Sequence, residues 1–222
     1  MMACKIAWVG LLVCASLAAG CSAKSWSWTG DTSRSRTVTA RSPRDSNAAA
    51  RENEAGLALL AKGELEQARA AFLRALVADA EFGPAENNLG KVSLMQGDLH
   101  EAARRFDEAH RLMPRHAGPC NNLGLVYEEA WRRKTSPAPG SGGVRFDARS
   151  ELNRAIDQYR EAISLDAGNI EYRANLVRAL VHRGDRTDEV RSLLRQVVEK
   201  DVRPQWRAWA GRQLASMGPN RP

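Results

Sequence analysis

Laid over itself at an offset of 34 residues, the chain meets its own small and aromatic positions again. Gly56 returns as Gly90 and Gly124, and Asn53 as Asn87 and Asn121. Gly63 returns as Gly97, Ala68 as Ala102, Phe72 as Phe106 and Ala75 as Ala109. A period of this length means stacked units, each too small to bury its own apolar face, whose core forms only between neighbours. Lys62-Gly63-Glu64 and Gln96-Gly97-Asp98 fall where a helix must end and the chain turn back, and Gly supplies the positive φ for that stop. Each unit is therefore a pair of antiparallel helices. Aromatic residues make up only 6% of the chain, which agrees with helix over sheet.

The recurring residues spell a known pattern. The third unit shows Leu123-Gly124-x2-Tyr127, and the second shows Leu89-Gly90, Ala102-x3-Phe106 and Pro114. This resembles the tetratricopeptide repeat, W-x2-L-G-x2-Y followed by A-x3-F and P. Glu52, Glu86 and Cys120 stand in place of the leading Trp, and Ser93 in place of one Tyr. The resemblance covers about residues 49–200. It implies an all-α, right-handed superhelical solenoid of about four helix pairs over 51–203, with a capping helix and tail over 204–222. In the third unit the Ala-x3-aromatic step comes late, as Ala155 and Tyr159, so an insertion of 19 residues interrupts it near 132–149. Its Pro, Gly and Ser content reads as a loop. Its Arg132, Arg133, Lys134, Arg145 and Arg149 make it basic, suited to anionic lipid or an acidic partner, or simply a tolerated surface loop. Leu176, Leu180, Gly184, Val190, Leu194 and Val197 form a divergent fourth unit. Trp206 and Trp209 then sit on a last helix, expected to pack on that unit rather than to face a ligand.

The amino terminus reads as an address. A short basic start is followed by an apolar run, Ile6 to Ala19, too short to span a bilayer and suited to a secretory signal over residues 1–20. The run ends Leu17-Ala18-Ala19-Gly20-Cys21, which resembles a bacterial lipobox with lipidation at Cys21 and, through Ser22, sorting to the outer membrane. Residues 21–50 then read as a lipidated Cys and a flexible tether, because Ser, Thr and Arg dominate and no period is sustained. Trp26 and Trp28 either rest at the headgroup level or belong to the tether. With Cys4 and Cys14 removed and Cys21 acylated, Cys120 is left as a small buried residue of a helix.

Charge and motif narrow the function. The net charge of +7 lies in loops and ends, while residues 51–130 carry nine basic against thirteen acidic groups, so the repeats offer no basic stripe for nucleic acid. His100-Glu101-Ala102-Ala103 starts like a zinc-protease helix, but Arg104 replaces the second His and cannot ligate zinc. No phosphate loop, nucleophile elbow or metal-ligand spacing appears. The reading is a non-enzyme with no cofactor, metal or small-molecule substrate.

In the family that the chain resembles, the first helices line the concave face. On that face Asn53, Asn87 and Asn121 form one row, and Asn88, Asn122 and Asn175 a second. Such amides either hold an extended peptide through its backbone or bond neighbouring helices. Lys91, Glu128 and Arg178 on the same face would add selectivity. The family's carboxylate clamp is not expected, because Asn53, Leu57 and Gly118 occupy its places. The expected function is a lipid-anchored scaffold in the bacterial envelope, facing the periplasm, with another envelope protein or an extended peptide as partner. In plan the chain is also similar to pilotins and other assembly lipoproteins of pilus and secretion systems, and it would equally suit an accessory subunit of an envelope hydrolase.

Overall fold

The computed structural model describes residues 44–135 and 148–218. The expected signal over 1–20, Cys21 and most of the expected tether lie outside them, as does the middle of the insertion. Among the described residues there are nine helices and no strand. They form four antiparallel pairs: α1 (Ser46–Ala61) with α2 (Leu65–Ala78), α3 (Gly83–Gln96) with α4 (Leu99–Leu112), α5 (Ala117–Thr135) with α6 (Ala148–Leu165), and α7 (Ile170–Arg183) with α8 (Asp188–Lys200). A single helix, α9 (Pro204–Ser216), packs on α8.

The repeated small residues explain the pairing. Within each of the first three pairs the helix axes approach at a glycine that faces an aromatic ring. A Cβ on Gly56 would stand 2.5 Å from the Phe72 ring, and one on Gly90 would stand 2.6 Å from the Phe106 ring. Gly124 faces the Tyr159 ring in the same way. Phe72, Phe106 and Tyr159 are all fully buried. Gly90→Ala therefore forces a ring out of place and is expected to cost about 1–3 kcal/mol, even though Ala is the better helix former. Gly118→Ala is the control, since a Cβ there meets nothing within 4 Å. Urea melts check this: loss in the first and none in the second is the expected outcome.

The helices stop where the glycine period says they should. Gly63, Gly97 and Gly184 take φ of 79°, 81° and 96°. The third unit has Trp131 at that register, so nothing terminates α5 there and the helix runs on to Thr135. The insertion is thus partly helix: its first residues, 132–135, prolong α5, and Ala148 and Arg149 begin α6. The stack also begins earlier than residue 51. Asp45 caps α1 by accepting from the Ala48 amide at 2.8 Å, its own amide donates to the Ala78 carbonyl, and Ala49 is fully buried. The alanines of 48–50 gave no apolar period to read, yet they are good helix formers.

At its two ends the stack closes by different means. Ala85, Leu89 and Val92 of α3 are buried on the first unit, and Leu123 and Val126 of α5 on the second. The same positions of α1 hold Arg51, Ala55 and Ala58, all exposed, so the first unit presents a polar, trimmed face with little apolar area to cover. At the other end α9 keeps the repeat register. Leu214 and Gly218 stand 34 residues after Leu180 and Gly184, and Gly218 again has positive φ, 68°. The expected cap is therefore built as a further first helix. Trp206 and Trp209, stacked edge to face at 5.7 Å, pack half-buried on the fourth unit's core.

Candidate functional site on the inner row of helices

First helices touch first helices: α1 on α3, α3 on α5 and α5 on α7. This inner row carries every groove residue named from the sequence.

The asparagines pair across it. Asn88 Nδ2 donates to Asn53 Oδ1 at 2.9 Å, Asn122 to Asn87 at 2.9 Å, and Asn175 to Asn121 at 2.8 Å. One rung thus crosses each junction between units, always from the later unit's amide to the earlier unit's carbonyl. Asn53, Asn88, Asn121 and Asn175 are buried, and Asn87 and Asn122 half-buried. These bonds support the stack. Removing a donor leaves a buried carbonyl unpaired, so Asn175→Ala is expected to lower stability by about 1–3 kcal/mol. Asn122→Ala, at a wetter rung, should lose less. Equal, negligible losses in thermal melts would show that the rungs do not hold the units.

Glu128 and Arg178 are also joined. Arg178 Nε and Nη2 donate to the two Glu128 oxygens at 2.5 and 2.7 Å, and Tyr159 Oη donates to Glu128 Oε2 at 2.9 Å. Burial, reinforced by the Glu128 charge, holds the Tyr159 hydroxyl well above the ordinary tyrosine range. The other face of the Arg178 guanidinium is covered by Trp206, 4.9 Å to the ring centroid, which also receives Arg203 at 4.9 Å. The two residues expected to select a ligand thus mainly lock α5, α6, α7 and α9 together. Cys120 is fully buried with Sγ 3.3 Å from His110 Nδ1, and burial pushes its thiol up to about 11, so it is no nucleophile near neutral pH.

Two hollows lie along the inner row. One, of about 670 Å³, is lined by the carboxyl-terminal halves of α3, α5 and α7, with Leu94, Met95, Leu125 and Trp131 as its apolar part. Met95 is 60% exposed, and the Trp131 ring meets His182 edge to face at 4.7 Å. Burial lowers the His182 pKa. Arg133 closes one rim, donating to the Gly97 carbonyl at 2.9 Å and to Glu129 at 2.9 Å. The second hollow, about 470 Å³, lies at the amino-terminal ends and includes Asn87, Asn88, Arg115, His116 and Tyr172. Lys91 sits on α3 between the two. Of the residues expected at the groove, Asn87, Asn88, Glu128 and Arg178 thus line a hollow. Asn53, Asn121 and Asn175 lie beneath as rungs. Trp131, Met95 and His182 were not anticipated; the one available signal was Trp131 breaking the turn-glycine period.

The geometry has known counterparts. A thermophilic TPR protein from Thermus thermophilus superposes with a TM-score of 0.61 at 20% identity, covering 77% of this chain and 84% of that one. The fold is a tetratricopeptide-repeat solenoid. MamA superposes on it with a TM-score of 0.52 at 20% identity, over 78% of this chain and 83% of MamA. The first TPR of Spaghetti, solved bound to an HSP90 peptide, gives 0.52 at 15% identity, over 64% of this chain and 98% of that one. No family model matches the sequence, and no curated protein matches it. Within the solenoid, the third and fourth units are the ones that depart from the repeat in chemistry, through Trp131, Glu128, Tyr159 and Arg178.

Proposed function

We propose that this chain is a non-enzymatic scaffold that holds a segment of a partner protein in the groove of its inner helices, and that its leader and Cys21 anchor it by lipid in the bacterial envelope, at the outer membrane facing the periplasm. The observation that carries the scaffold reading is the open hollow at Leu94, Met95, Leu125 and Trp131, where apolar side chains face solvent on a rigid wall of three helices. Surface of that kind marks a contact site. The Spaghetti domain, alike in fold, was solved with a peptide bound. Anchoring is supported by the Leu17-to-Cys21 sequence, and two or more acyl chains make such attachment stable.

The test places a photo-crosslinking amino acid at Met95 and, as a control, at Val77, which is 82% exposed on α2. A discrete crosslinked protein from Met95 and none from Val77 is expected in envelope fractions; the reverse would move the contact off the groove. Fatty-acid labelling of wild type and Cys21→Ser tests the anchor separately. Equal labelling would refute it.

A further inference from the structure

The groove's charges are nearly all answered from within. Glu128 is paired with Arg178, and Glu129 with Arg132 and Arg133. Among its cations Arg115 and Lys91 are the exceptions, and of the two only Lys91 is half-buried. Its ammonium donates to Asn88 Oδ1 at 3.3 Å, and among the described residues it has no carboxylate partner within 4.0 Å. That same Asn88 oxygen belongs to a neutral amide already serving as a rung. The side chain is half-buried, and burial lowers its pKa. A half-desolvated cation without a counter-charge is a cost that the fold does not need. The equivalent positions of the first and third units hold Leu57 and Leu125, and the fourth unit's cation there, Arg178, has Glu128. Lys91 stands one helical turn before Met95, so the two side chains share one face of α3, with their Cβ atoms about 5–6 Å apart. Two residues of an extended chain span about 6.6 Å, and their side chains point the same way.

We propose that the groove's occupant is an extended segment with a carboxylate side chain two residues from a large apolar one, the carboxylate pairing with Lys91 and the apolar group entering the hollow at Met95, Leu125 and Trp131. This rests on the scaffold reading above and names the chemistry of its partner. Glu128 and Arg178, held by each other, take no part in choosing it.

The full chain in detergent is applied to immobilised ten-residue Gly-Ser peptides carrying Glu-x-Leu, Gln-x-Leu, Lys-x-Leu or Glu-x-Ser. Wild type should retain Glu-x-Leu about tenfold more tightly than Gln-x-Leu, the scale of one charge-assisted contact. Lys91→Gln should erase that difference, and Lys91→Glu should shift preference to Lys-x-Leu. Equal retention of Glu-x-Leu and Gln-x-Leu by wild type overturns the assignment while leaving the groove reading intact. Retention of none overturns both. The melting temperature of Lys91→Gln should be unchanged or higher; a lower one would give Lys91 a structural part through Asn88 and overturn the proposal as well.

Discussion

Glu128→Ala is expected to lower the unfolding free energy by about 3–5 kcal/mol, because it leaves the Arg178 guanidinium and the Tyr159 hydroxyl without the carboxylate both were built around. Tyr159 is fully buried, whereas the Arg178 side chain keeps 23% exposure, which places the loss toward the lower end. The reason to expect so much from one carboxylate lies in the repeat. Leu60 and Leu94 hold the Glu128 register in the first two units, and Phe72 and Phe106 the Tyr159 register. The Arg178 register holds Leu57 and Leu125, with Lys91 in the second unit. Three positions that are mostly apolar elsewhere have become polar together, and each answers the others. Glu128→Leu, Tyr159→Phe and Arg178→Leu combined should therefore recover most of what Glu128→Ala loses, since an apolar replacement of a buried pair is commonly neutral or better. Urea melts of both variants decide it. A single-variant loss below about 1 kcal/mol would mean the pair behaves as an exposed salt bridge.

Phe106→Ala is expected to cost about 3–5 kcal/mol by emptying the space between layers. The ring is fully buried among Ala102, Leu123 and Val126, and it lies against Gly90, which has no side chain to move into the vacated volume. Leu73→Ala makes the comparison: it removes an aliphatic side chain from α2 that is 41% exposed, and should stay within about 0.5 kcal/mol. Similar losses in the two variants would show that the interlayer ring is not the centre of the unit's core.

Much of this framework was legible because each repeated position has one physical reason to repeat. The glycines at 56, 90 and 124 exist for the ring opposite, and the aromatic positions follow from them even across the insertion, where Tyr159 keeps its place. Helix starts were less legible. Asp45 and the alanines that follow carry no apolar stripe, so α1 announces itself only through its cap. The groove was hardest to read. Asparagines recurring at the repeat period look alike whether they face a peptide or the next helix, and only the distances assign Asn88, Asn122 and Asn175 to their neighbours. Trp131 was hidden for another reason: its meaning comes from the glycine it replaces and from the α5 extension that follows.

The asparagine rungs also bear on how such a chain can change in length. Asn53 supplies only an acceptor and Asn175 only a donor, with Glu54 and Ala174 closing the two ends; the middle units supply both. Excising residues 80–113 would bring Asn122 opposite Asn53, and duplicating the same stretch would add one complete rung. Gene segments of one repeat can thus be gained or lost at this junction without leaving an amide unmatched. The junction beyond them is different in kind. Tyr159, Glu128 and Arg178 fit one another and no other register of the chain, so adding or removing a unit between the third and fourth would break the set, whereas the same change before them would not.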